Sequence, residues 1–164
     1  MKIPKTVFFI ILCIISFSAC EKDDICVDGD TPLMVIEFYD VNDTTLLKDV
    51  PSLTVNGFIA PDSVLTTIEN TSANTVTLPL RVDNTSSTFI FSQRLTVNDS
   101  IQADTITFTY QRKEEFVSRA CGFTVSYTEL QSNIGQENDV WVQDILIDTL
   151  YVNNTVTTNV KILH

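Results

Sequence analysis

Glycine is scarce in this chain, with four among 164 residues, and there is one histidine and one tryptophan. So few glycines leave no phosphate-cradling loop and no dinucleotide fingerprint. The histidine, His164, is the last residue of the sequence, and no Gly-x-Ser-x-Gly elbow occurs, so a Ser-His-Asp triad has no footing. Positive charge is short as well. Ten Lys and Arg stand against 21 Asp and Glu, a net charge of −11. That balance excludes tracking of nucleic-acid phosphates and electrostatic adsorption to an anionic surface. No cofactor is implied by any of these residues. A long oily run is also missing: the apolar stretch at 7–15 falls far short of the ~20 residues that span a bilayer.

The N-terminus reads as an address. Lys2 and Lys5 precede the apolar stretch, and mostly small residues lead from it to "FSAC" at 17–20. A charged start, a short oily segment and a small-residue exit are the plan of a secretory signal peptide over residues 1–19. "FSAC" resembles the lipobox of bacterial lipoproteins, in which the cysteine is acylated and the chain is cut just before it. Phe17 stands there in place of the usual Leu. The resemblance makes Cys20 the lipidation site, and each buried CH₂ of its acyl chains would contribute about 0.8 kcal/mol to membrane anchoring. Ordinary cleavage near Ala19, leaving a thiol at Cys20, is the alternative. "CEKDD" at 20–24 resembles the lipoprotein export signal of one branch of Gram-negative bacteria. On that reading Lys22, Asp23 and Asp24 send the protein to the outer face of the outer membrane. The competing reading is a solvated start to the mature chain, with the anchor facing inward.

Cys13 leaves with the signal peptide and Cys20 takes the lipid, which leaves Cys26 and Cys121. In an exported protein such a pair is most simply one disulfide. Closing a loop of about 95 residues, it would contribute at most about 4–5 kcal/mol in the chain-entropy model. Two buried thiols acting as small hydrophobes are the alternative. Zinc has no case, since two cysteines and His164 do not supply four ligands. Six residues separate Cys26 from Cys20, a reach of only about 20 Å. The domain is therefore expected to sit close to the bilayer, with a membrane-proximal partner. Removal of residues 1–19 takes away two lysines and no acid, so the mature net charge is −13.

Beyond residues 20–32, a lipidated start and short tether, the chain reads as one domain over 33–164. The pattern is strand after strand. At 76–82, Val76, Leu78, Leu80 and Val82 alternate with Thr77, Pro79 and Arg81, and Pro79 marks an edge strand or bulge. At 121–127, Cys121, Phe123, Val125 and Tyr127 face inward; at 105–110, Ile106, Phe108 and Tyr110 do so. Further strands are expected at 33–39, 53–58, 88–97, 140–152 and 155–163. Turn-rich clusters such as "DVNDTT", "ENTSANT" and "DNTSS" separate them. Only 114–120 and 127–135 read as able to hold a helical turn. The expected fold is all-β: an antiparallel β-sandwich of seven to nine strands, immunoglobulin-like in architecture. Trp141 is read as a core aromatic, with glycan stacking as its alternative.

Chemistry is hard to find. Glu114 with Glu115, and Glu137 with Asp139, are the close acidic pairs that a carboxylate-dependent hydrolase could use, but no motif positions them. Asp40, Asn42 and Asp43, and Asp24, Asp28 and Asp30, offer oxygens to calcium without an EF-hand spacing. Turn formation explains those residues equally well, so no metal site is assigned. Asp followed by Ser or Thr, then an aliphatic residue or Thr, recurs at Thr44, Ser63, Ser100, Thr105 and Thr149. The tripeptide resembles the O-glycan acceptor motif of exported proteins from the same bacterial branch. It is also how a β-rich chain writes a turn followed by a strand.

With "CEKDDIC", "FYD", "SLTV", "SRACGF" and "VKILH" in view, nearly the whole mature chain resembles a family of short, uncharacterised surface lipoproteins. That resemblance matches Cys26 and Cys121 to the family's two cysteines and carries no activity. The expected protein is a lipid-anchored, non-catalytic adaptor or structural subunit for another envelope protein. A glycan- or small-ligand-binding surface module is the alternative, and an enzyme the third reading. An exposed apolar patch would mark the first, aromatics beside a polar cleft the second.

Overall fold

The computed structural model describes residues 30–60, 63–95, 100–135 and 141–164. Ten strands occur among them: β1 (Met34–Asp40), β2 (Asp43–Leu47), β3 (Val50–Ala60), β4 (Ser63–Ala73), β5 (Thr75–Leu78), β6 (Ser86–Arg94), β7 (Ile101–Ser118), β8 (Gly122–Ile134), β9 (Asp144–Ile147) and β10 (Thr158–Leu163). One sheet runs β2-β1-β10-β9, with β5 pairing the same edge of β1 as β2; the other runs β4-β3-β6-β7-β8. Two facing sheets make the expected β-sandwich. The pairings are antiparallel except for β1 with β10, which run parallel. Two packed sheets are as far as the likeness to an immunoglobulin domain extends on these observations.

The core follows from alternation. Val55, Phe89, Phe91, Ile106, Phe108 and Tyr127 from one sheet meet Met34, Ile36, Phe38, Val76, Leu78 and Ile162 from the other, all buried. Burying each such side chain contributes about 1.5–3 kcal/mol relative to leaving it exposed. Trp141 is a core aromatic, 5% exposed. It stacks on Phe38 at 6.3 Å, and its indole N–H donates to the Phe91 carbonyl at 3.1 Å. Asp104, fully buried on β7, accepts the amides of Trp141 and Val142 through Oδ2 at 2.9 and 2.8 Å. That carboxylate pins the entry to β9 beneath the other sheet.

Several local expectations are corrected. The strand begun at Thr75 stops at Leu78, because Pro79 has no amide to continue the ladder. Residues 114–120 and 127–135 hold no helical turn; they lie mostly within β7 and β8, whose pairing carries them as one long hairpin. Its turn is three residues, Arg119 to Cys121, followed by Gly122 at φ 73°, the left-handed position such a loop reserves for glycine. The "ENTSANT" segment is strand as far as Ala73. Of the described residues 141–152, only β9 is strand, together with a single bridge that joins Val152 to Tyr127.

Candidate functional site

After Pro79 the chain leaves the first sheet and crosses to the second, entering β6 at Ser86. Two tyrosines from below hold this crossover. Tyr127 donates to the Leu80 carbonyl at 3.1 Å, and Tyr110 donates to the Arg81 carbonyl at 3.1 Å. Ser87 Oγ accepts the Arg81 amide at 2.9 Å and lies 2.7 Å from the Tyr110 oxygen, to which it donates. The two rings meet edge-to-face at 4.9 Å. Burial raises both phenols, and with the Tyr110 ring beside it Tyr127 is pushed up to about 12. Both are therefore neutral donors at any physiological pH.

Between this crossover and the inner face of β3, β4 and β6 lies an apolar cleft of ≈ 280 Å³. Gly57 and Phe89 line it, and a β-carbon at Gly57 would come within 3.2 Å of the Phe89 ring, so the glycine lets the ring lie against β3. Ile59, Leu65 and Val82 are half-exposed around it, at 51%, 54% and 50%. Arg81 closes one end. Its Nε and Nη2 donate to Asp83 at 2.9 and 2.7 Å, and Nη1 donates to the Ile59 carbonyl. Hydrogen bonding to Arg81 holds the Asp83 carboxyl below its usual range and raises the guanidinium. The charge at the rim is thus compensated, and β4 beside it is an edge strand, paired on one side only among the described residues. Sequence reading missed this site, since it placed Leu80 and Val82 on one continuous strand.

A second apolar surface sits at the tip of the β7–β8 hairpin. Phe116 and Phe123 lie directly opposite one another, 59% and 68% exposed, with ring centroids 5.4 Å apart. Near it a polar groove of ≈ 360 Å³ is lined by Asp30, Lys113, Glu115, Tyr151 and Asn153 among others.

The predicted site residues do not converge. Cys20, Lys22, Asp23, Asp24 and Cys26 lie outside the described residues, as do Asp28, Asp62, Asp99, Glu137 and Asp139. Cys121 is half-buried in the hairpin turn, its amide donating to Ser118 Oγ at 3.0 Å. Thr44 and Ser63 are exposed. Ser100, Thr105 and Thr149 are half-buried; Thr105 lies within β7 between β6 and β8, and Thr149 Oγ1 accepts the Tyr151 amide. Glu114 pairs with Arg112 at 3.0 Å and Glu115 with Lys113 at 2.5 Å, from opposite faces of one strand. Asp40 accepts from Asn42 and pairs with Lys48 at 3.2 Å, while Asp43 accepts from Thr45, so both carboxylates serve the β1–β2 turn. Those bonds lower both carboxyls. No group of three or more His, Cys, Asp or Glu placed to hold a metal occurs among the described residues.

A family model for proteins of unknown function, DUF6452, matches residues 52–164. No curated protein and no solved structure matches the chain.

Proposed function

Since the chain belongs to a family of unknown function, DUF6452, we propose a role from its own residues: a lipid-anchored, non-catalytic adaptor of the cell envelope. The cleft carries this reading. At ≈ 280 Å³ it falls just below the range of small-molecule pockets, about 300–1,000 Å³. Its lining is mostly apolar, its one guanidinium is occupied, and a free strand edge runs beside it. Such a site suits one apolar side chain of a protein partner whose backbone lies along β4.

The address rests on "FSAC" and "CEKDD": acylation at Cys20 and delivery to the outer face of the outer membrane. The staple is Cys26–Cys121. Thr124, three residues past Cys121, donates to the Asp30 carbonyl at 3.4 Å, so the chain four residues after Cys26 already lies against this hairpin. Of the Asp-Ser/Thr positions, the exposed Thr44 and Ser63 are the best placed to carry a glycan, and an intact mass tests that.

A photocrosslinker at Leu65, in intact cells, tests the adaptor reading. The expected result is one discrete adduct with an envelope protein, lost when Val82→Asp is added. Absence of an adduct at Leu65, or the same adduct from exposed Ile101, refutes it. A second reading is favoured by the groove beside Tyr151, which is 59% exposed. An aromatic at a polar groove suits a glycan, and calorimetric titration with envelope oligosaccharides, repeated on Tyr151→Ala, decides that reading.

A further inference from the structure

We infer that the tip of the β7–β8 hairpin rests in the lipid interface of the membrane that holds Cys20, with Phe116 and Phe123 inserted. The inference depends on the anchoring proposed above and adds which end of the sandwich meets lipid.

Three observations converge on that end. First, β7 outruns its neighbour: Ser86 of β6 pairs with Thr109, and β7 continues to Ser118 paired, among the described residues, with β8 alone. At about 3.3 Å per residue the hairpin extends roughly 30 Å past its last pair with β6, and roughly 20 Å past Arg112, whose partner Tyr127 is bridged to Val152. Secondly, the tip has the chemistry of an interface. Phe116 and Phe123 form an exposed edge-to-face pair, and Val117 beside them is 36% exposed. The one charge between residues 116 and 123 is Arg119, exposed and positive, in a mature chain of net −13. Aromatic side chains with one cation suit the boundary between acyl chains and phosphates.

Thirdly, the lipid-bearing end of the chain emerges here. Asp30 is bonded to Thr124, next to Phe123. Ten residues separate Asp30 from Cys20, a reach of at most about 35 Å. Acyl chains on Cys20 would therefore lie within that reach of the tip, and they would bring two otherwise solvent-exposed phenylalanines to a surface where burial favours them. Other apolar side chains are exposed too, Leu46, Leu65 and Ile101 among them, but none of these three adjoins the bond between Thr124 and Asp30. Ile101, at the other end of β7, is as exposed as Phe116, at 61%, and lies about 50 Å along the strand.

That pair of positions gives the test. The lipidated chain carrying Phe116→Trp, Phe123→Trp or Ile101→Trp is reconstituted into phosphatidylethanolamine–phosphatidylglycerol vesicles with brominated acyl chains. Emission is read against the unsubstituted protein, whose Trp141 is buried. Insertion by a few ångströms brings the two tip indoles within reach of bromine, so their emission should fall at least about twofold while that at 101 is unchanged. Two results overturn the inference with the anchor intact: vesicles that float with the protein but leave the tip unquenched, or equal quenching at all three positions. A blue-shifted, unquenched tip would mean that a second copy of the chain covers it. A protein that does not float with the vesicles removes the anchoring itself, and with it this inference.

Discussion

The side-chain carbonyl of Asn159 accepts the amide of Val35 at 2.8 Å, at the point where the parallel ladder between β1 and β10 slips. Val35 pairs with Thr158 and Ile36 with Val160, so Asn159 is the extra residue, and its side chain supplies the bond the backbone there does not. Its Nδ2 donates to the Tyr151 carbonyl at 2.9 Å. One buried amide thus joins β1, β10 and the segment that reaches across to β8.

Asn159→Ala should accordingly cost about 1–3 kcal/mol, since it strands a buried N–H. Urea denaturation of the folded domain measures the loss. Asn159→Asp keeps the acceptor for Val35 but turns a buried carboxylate oxygen toward the Tyr151 carbonyl, so its urea midpoint at pH 7 should fall at or below that of the alanine variant. A midpoint unmoved by Asn159→Ala would remove Asn159 from this role.

Tyr127→Phe should destabilise by about 1 kcal/mol and loosen the crossover at Leu80 and Arg81, because one hydrogen bond to a buried carbonyl is lost. Tyr110→Phe should act similarly through Arg81 and Ser87. As the rings touch, the double variant should depart from additivity by about 0.5 kcal/mol or more. Hydrogen exchange at Arg81, whose amide donates to Ser87, reports the loosening directly. Additive energies with unchanged exchange would mean that the tyrosines do not hold the cleft wall.

The proposed bridge between Cys26 and Cys121 predicts that reduction lowers the stability of the chain by up to about 4–5 kcal/mol, the loop-closure figure. Cys121→Ser should reproduce the effect without reductant, and adding reductant to that variant should change nothing more. A parent whose thermal midpoint ignores reductant carries no such bridge.

How far the sequence could be read depended on whether a strand's partner covered it. Ile106, Phe108, Tyr110, Val125 and Tyr127 alternate and are buried, since the opposite sheet lies over them. Phe123 belongs to the same alternation yet is exposed, because the hairpin runs past the end of that sheet. Its partner Phe116 lay in a stretch whose charges resemble a helical turn, and only pairing with β8 makes it strand. Gly122 was the local sign of that hairpin. β4 was illegible for a different reason: as an exposed edge it needs no apolar period, and its Thr, Asn and Ser read as turn. Asp104 looked like the start of an acceptor tripeptide, but it caps the Trp141 segment through contacts 37 and 38 residues away. The cleft depends on the same kind of distant join, Tyr127 reaching Leu80 across 47 residues.

Acid stability should show a step owed to His164. Its half-buried ring stands edge-on to Phe38 at 6.1 Å and to Trp141 at 5.5 Å, with Nε2 at 3.3 Å from the Lys48 carbonyl. Burial, aided by the Lys48 cation, pushes its pKa below the usual 6.5, against the opposing pull of that carbonyl and of Asp40. The folded state therefore resists a proton that the unfolded state accepts. The stabilisation is fully present above the unfolded value of about 6.5 and is lost as pH falls through the lower folded value. Asp40 and Asp43, with lowered pKa values, add a separate loss only below their ordinary value of 3.8. Because the chain has one histidine, urea midpoints between pH 7.5 and 5 isolate this group. The parent should lose stability over that interval, whereas His164→Gln should hold level and diverge only in the carboxylate range. Equal slopes in the two proteins would show that the ring is as free to charge in the fold as in water.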